Sequence, residues 1–390
     1  MRRGAWHQCG DRSQKLVIEQ LQHNAGVGVI ISPRDLAYEK AVAYSQEYRQ
    51  LGADVLIDLQ FCYPEFTNPK LDTYATSQYR TSISQLHQIS DADLLAFMCE
   101  LRTEVSQLAT SAIIAPAVTY ESGRPDIVQL NAKLFSAARE VAYELNLPIY
   151  ATAILGQSVT SSQQTTDTCL SDVTSLDADG WYFGFEFSHQ ERIPSVQESV
   201  LRCCVAGLRL VTTGKPVLHA YAGPMSLLSF AFGATAVGIG HWQNLWQFTP
   251  GRWEAPEVQG GGGAAPPRYF SSQLWGTIIF PDELTQIPQP LREQILASNS
   301  PFSPANLTIP WPRWTANKHL VYCLCSQAAQ MAQITPAQTN AAGAISILQD
   351  AVNLHQSISN HLTLADNTAA YQSNWINALN PHFSPLFSLR

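Results

Sequence analysis

Long apolar runs are missing from this 390-residue chain, and charge is sparse, with Asp, Glu, Lys and Arg making up 14% of the residues. No stretch approaches the roughly 20 apolar residues that a bilayer-spanning helix requires, and Met1-Arg2-Arg3-Gly4-Ala5-Trp6-His7 lacks the apolar core of a secretory signal. The expectation is a soluble cytoplasmic protein without a membrane partner. Several catalytic signatures are also missing: a P-loop, a dinucleotide fingerprint between strand and helix, a Gly-x-Ser-x-Gly elbow and a His-Glu-x-x-His pair. Phosphate-cofactor and serine-hydrolase readings are thereby set aside. A formal charge of −8 argues against a general electrostatic grip on nucleic acid and leaves only a local basic patch for that purpose. Eight cysteines without a signal read as reduced thiols, and Cys203-Cys204, in an apolar helical segment, reads as core.

What the chain does contain is a rhythm of short apolar runs, each followed by a helix-length segment. They are Val27–Ser32, Asp54–Asp58, Ala112–Ala115, Ile149–Thr152, Trp181–Glu186, Val217–Tyr221, Ala236–Ile239 and Leu274–Ile279. Strands buried on both faces are continuously apolar, and parallel strands need a helical crossover, so eight such units predict an α/β fold, a (β/α)8 TIM-like barrel with a C-terminal helical extension. The expected division is a barrel over 1–280, a Pro-rich strap over 281–317 that is hardly regular, and a helical region over 318–390. Ser32-Pro33-Arg34-Asp35 has the form of a helix start. Two connections, Phe61 to Ser90 and Trp242 to Ser272, are long enough for lids or binding loops, and the second carries the run Gly260–Gly263.

In such a barrel chemistry sits at the carboxyl ends of the strands. Asp58, ending a Val-Leu-Ile strand, is the leading catalytic candidate, with Glu186 second. Gln60, Glu121, Gln157, His219, Tyr221, His241 and Trp242 are the candidate substrate-binding residues. Polar groups inside apolar strands are costly unless paired or used, so Glu186 and His219 either form buried hydrogen bonds or line a pocket. The glycines around His241 would let a ligand or backbone approach closely, and Trp242, Trp246 and Trp253 would either stack on a planar ligand or pack. Cys323, Cys325 and His355 supply three zinc-type ligands where a closed site needs four, so no cofactor is assigned and zinc stays an incomplete set.

The order of several segments resembles the tRNA-guanine transglycosylase family of base-exchanging barrels. Leu56-Ile57-Asp58-Leu59-Gln60-Phe61 is similar to the family's Asp-bearing base-site strand, and Leu155-Gly156-Gln157 to a later Gln-Gly-Gly strand end. Ala178–Glu186, Lys215–Pro224 and Phe232–Gly238 resemble three further strands. The resemblance implies a purine or 7-deazapurine ligand held by Asp58 and Gln157, base exchange in nucleic acid, and homodimerisation; a hetero-assembly is the partner expected if the barrel is non-catalytic. The resemblance also places the family's nucleophilic Asp on or beside Gly238, so that Glu186 or Glu121 would have to replace it. Two other readings stay open: a non-catalytic barrel kept as a binding or assembly subunit, and an unrelated barrel hydrolase with paired carboxylates. A pocket gathering Asp58, Gln157, Glu186, His219 and His241 would favour an enzyme, whereas a mouth plugged by aromatic side chains would favour the binding subunit.

Overall fold

The computed structural model describes residues 1–187, 193–253, 266–333, 337–365 and 369–380. Eight parallel strands form one sheet: β1 (Gly4–Gln8), β2 (Gly28–Ile31), β3 (Asp54–Ile57), β4 (Ile113–Ile114), β5 (Ile149–Leu155), β6 (Gly180–Phe185), β7 (Val217–His219) and β8 (Ala236–Ile239). Their order is β3-β2-β1-β8-β7-β6-β5-β4, and β1 meets β8 with Trp6 opposite Gly238. The remaining seam, between β3 and β4, is bridged by the Ser111 N–H donating to the Val55 carbonyl at 2.8 Å. The result is a nearly closed (β/α)8 barrel with C-terminal helices.

Strand alternation sorts the apolar residues into two sets. Ala5, Val29, Val55, Ile113, Ala151, Trp181, Val217 and Val237 point outward and pack with the surrounding helices. Trp6, Ile30, Leu56, Ile114, Tyr150, Tyr182, Leu218 and Ala236 fill the barrel. Gly28 is where Trp6 lies: a Cβ there would stand 2.4 Å from the indole.

Three expectations are corrected. The first barrel strand is Gly4–Gln8, whose mixed polarity hid it; His7 is nonetheless buried, and its ring is 2.7 Å from the Ala25 carbonyl. The run at 274–279 is no barrel strand, because β10 (Gly276–Ile279) pairs antiparallel with β9 (Arg268–Ser271) in a separate hairpin. Ser32–Asp35 is a turn in which Ser32 Oγ donates to Asp35 at 2.7 Å, and the helix starts only at Tyr38. Within the Pro-rich strap lie two short helices, Asp282–Gln286 and Gln289–Leu296.

The helix Arg313–Gln333 packs against β1, β8 and the helix Gln14–Gln22, which is the station of a barrel's eighth helix. The helix Ala337–Ser359 packs on Ser226–Phe232, and Ala369–Leu379 packs on Gln197–Val211. Trp375 Nε1 donates to the Pro194 carbonyl at 2.8 Å and fixes the last helix to the barrel. Among the described residues no helix is long and apolar enough to cross a membrane.

Candidate functional site

Asp58 stands one residue beyond β3 and, continuing the alternation of Leu56, enters the barrel. It is buried, and both oxygens are satisfied from within. Oδ1 accepts the Gln60 N–H at 2.9 Å, while Oδ2 accepts the hydroxyls of Tyr182 at 2.9 Å and Tyr221 at 3.2 Å. Burial raises its pKa, opposed by these hydrogen bonds and by the charge of Arg252. Gln60 and Tyr221 both carry positive φ, 59° and 54°. Those bends turn the chain at the ends of their strands and aim the Gln60 N–H and the Tyr221 hydroxyl at one carboxylate. The Gln60 side chain is used as well: its amide donates to Ser32 Oγ at 2.8 Å and its oxygen accepts the Arg34 N–H at 3.1 Å.

Aromatic rings close the mouth over this group. Tyr63 stacks on Phe248 with centroids 6.1 Å apart, Trp253 lies 6.0 Å from Tyr63 and 5.8 Å from Phe66, and Phe248 meets Tyr221 at 5.7 Å. Phe248 and Trp253 are 2% and 6% exposed and belong to the same apolar cluster as the barrel interior. The two long loops therefore do meet over the barrel, packed against each other. The Gly260–Gly263 run lies outside the described residues.

Glu186, Glu121 and Gln157 form a second group on another part of the rim. Glu186 Oε2 accepts the Gln157 N–H at 3.1 Å, and Glu121 accepts the Ser158 hydroxyl. Gly156 brings the chain against Glu121, whose Oε1 would be 2.3 Å from a Cβ placed there. Burial lifts the Glu186 pKa to about 7, opposed by the Gln157 N–H and assisted by the charge of Glu121. The Gln157 side chain is at the surface.

The other candidates do not join either group. His219 shares the outward face of Val217; its Nδ1 is 2.7 Å from Ser229 Oγ and its ring is 4.9 Å from Phe183, between barrel and helices. Burial lowers its pKa to about 3, so it is a neutral core residue and the expectation of substrate contact is corrected. His241 packs on Trp242 and Trp314 with its pKa lowered to about 4, chiefly by burial. Gly240 gives way to Leu245 rather than to a ligand, since a Cβ would meet Leu245 Cβ at 2.3 Å. Of the expected stacking residues, Trp246 is buried with Nε1 donating to the Gly240 carbonyl at 3.0 Å, and Trp242 Nε1 donates to the Asp11 carbonyl at 2.9 Å. Cys323 lies 3.6 Å from both Ser298 Oγ and His319 Nε2, whereas the His355 ring meets Ser359 Oγ at 3.2 Å. Among the described residues no three His, Cys, Asp or Glu side chains are grouped as a metal ion would need.

A charged cleft that sequence reading missed opens beside the plug. Arg252 is buried, its Nη2 reaches Asp35 and lies 3.4 Å from Ser32 Oγ, and its guanidinium sits 5.9 Å over Tyr221 and 5.7 Å over Trp253. Arg34 stands 5.4 Å over Phe66 and 3.7 Å from Asp35. Arg34 and Asp35 follow the first apolar run, Val27–Ser32, after one proline, so asking what ends that run would have found them. Nothing in the periodicity marks Arg252.

No family model matches the chain, and no curated protein matches it. Solved structures resemble it at low identity. A glycosyl hydrolase of GH3 family from Mycobacterium smegmatis str. MC2 155 has 11% identity over 61% of this chain and 84% of its own, with a TM-score of 0.40. N-acetylneuraminate lyase from Mycoplasma synoviae has 13% identity over 61% and 68%, with a TM-score of 0.34. An archaeal fructose 1,6-bisphosphate aldolase has 12% identity over 63% and 88%, with a TM-score of 0.33. Likeness at this level carries nothing about activity. The resemblance to tRNA-guanine transglycosylases is overturned, since neither a family model nor a curated relative supports it. The geometry agrees with that correction. Gly238, on or beside which the resemblance puts the nucleophile, has no room for a side chain, because a Cβ would meet Gln8 Oε1 at 2.9 Å and the Tyr221 nitrogen at 3.1 Å.

Proposed function

We propose that this chain is a binding subunit built on a barrel whose axial site is filled by its own side chains. The observation that carries the reading is Asp58: the residue best placed for chemistry spends its hydrogen-bonding capacity on Tyr182, Tyr221 and the Gln60 N–H, beneath an aromatic plug. A side chain so held ties the end of β3 to the middle of β6 and to the residues after β7, and each such hydrogen bond contributes about 0.5–1.5 kcal/mol. In a thermal-shift panel of free bases, nucleosides and sugars, Asp58→Asn should lower the melting temperature by several degrees and leave any ligand-induced shift intact. A ligand shift present in the wild type and abolished by Asp58→Asn would defeat this reading.

A second reading, a hydrolase- or lyase-type barrel, is favoured by Glu186 alone. Its pKa of about 7 suits proton exchange at neutral pH, and Glu121 supplies a second carboxylate nearby. Turnover of a sugar or carbonyl substrate that is lost in Glu186→Gln would establish it.

A further inference from the structure

The rim cleft of about 290 Å³ beside the plug draws Arg34 from the loop after β2, Arg252 from the loop after β8 and Arg313 from the start of the helix Arg313–Gln333. Trp242, Gln243, Asn244, Asp11 and Asp35 complete its wall. The two carboxylates are already committed. Asp11 is paired with Lys70 at 2.7 Å and Arg12 at 3.5 Å, and Asp35 with Arg252 and Arg34. Three lining guanidinium groups thus face two acids, one of which is also paired with Lys70 and Arg12, a local cationic surplus in a chain whose formal charge is −8.

Two features show that the surplus is not satisfied internally. The Nε atoms of Arg34 and Arg252 are buried, and among the described residues neither has a hydrogen-bond partner, although Arg252 is 5% exposed as a residue. Buried donors on charged groups are costly when unpaired. Arg313 is exposed at the edge of the cleft, with its guanidinium 5.9 Å over the Trp242 ring. We propose that this cleft binds a phosphate-type oxyanion, free or as the phosphate of a small molecule, with Arg34 and Arg252 as its fixed donors and Arg313 closing over it. Planar guanidinium groups match oxyanions in paired hydrogen bonds, and a dianion here would relieve the repulsion between the buried Arg252 and the partly exposed Arg34. The same crowding is visible in Arg34, whose pKa is lowered first by burial and next by the charge of Arg252.

The inference rests on the binding reading, to which it adds a site and a ligand class. The test is calorimetric titration of the whole chain with inorganic phosphate at low ionic strength. One phosphate per chain is expected, weakened about tenfold by Arg313→Gln and more by Arg34→Gln. The exposed Arg313 keeps the test valid if Arg34→Gln does not fold. No phosphate binding, binding unchanged in Arg313→Gln, or an equal response to acetate would overturn the inference. A small phosphate monoester that binds at least as tightly as phosphate would mark the site as one for phosphorylated molecules; weaker binding would mark it as one for the free anion. Both support the proposal. Asp58→Asn separates the two levels: the variant should bind phosphate as the wild type does, and loss of binding there would show that the axial site takes part, defeating the closed-mouth reading too.

Discussion

Glu186 is a carboxylate whose pKa the fold lifts into the physiological range. Its ordinary value of 4.5 rises to about 7, chiefly through burial. Below about pH 4.5 it is protonated whether the chain is folded or not; between 4.5 and 7 the folded form keeps a proton that the unfolded chain releases. Its stabilising contribution is therefore complete below 4.5 and disappears as the pH rises through 7. Each pH unit in that interval is worth about 1.4 kcal/mol before screening by nearby water. The buried histidines act with the opposite sign. His7, His241 and His319 are lowered to about 4 and His219 to about 3, mainly by burial, so their contribution is present above 6.5 and lost as the pH falls. The informative quantity is thus the difference between wild type and Glu186→Gln. Chemical denaturation across pH 4.5 to 8 should show that difference shifting steadily in favour of the variant, and a difference that does not vary with pH would refute the assignment.

The strands show what could be read in advance and what could not. β2 to β8 were all legible because both faces of a barrel strand are dry, which makes apolar runs inevitable. β1 was not, because Trp6, His7 and Gln8 interrupt its aliphatic content, although all three are buried, Trp6 and His7 with hydrogen bonds to the Arg2 and Ala25 carbonyls. The run at 274–279 has the same composition as a barrel strand, and only its partner β9 makes it a hairpin. Asp58 and Glu186 were found by position, but whether a rim carboxylate is open or sealed depends on Tyr182, Tyr221 and Phe248, which lie far away in sequence. His219 could have been excluded, since alternation places it with Val217 on the outer face. The plug itself makes a prediction. Trp253 touches Tyr63, Phe66 and Arg252, so Trp253→Ala should cost about 3–5 kcal/mol and open the barrel mouth. A dye that brightens in apolar pockets should bind the variant and not the wild type; equal binding by both would mean that the rings do not seal the mouth.

The chain closes its barrel late. Between β8 and the helix Arg313–Gln333 it builds the hairpin of β9 and β10 and two short helices, and only then returns to cover the β1–β8 junction. Three contacts hold that return. Leu320, Val321 and Leu324 are buried in the shared core, Gln20 Nε2 donates to the Lys318 carbonyl at 3.0 Å, and His319 Nε2 is 2.8 Å from the Phe270 carbonyl on β9. One helix thus packs the barrel wall on one side and the inserted hairpin on the other, so barrel and insertion should unfold together. Leu324→Ala removes a side chain with no exposure and should cost about 2–5 kcal/mol. The loss should appear as a single transition moved to lower denaturant, recorded identically by far-ultraviolet circular dichroism and tryptophan fluorescence. Ending the chain before Arg313 would strip the cover from β1 and β8 and leave no folded barrel. If that shortened chain still gave a cooperative transition, the helix would be an appendage to a barrel complete without it.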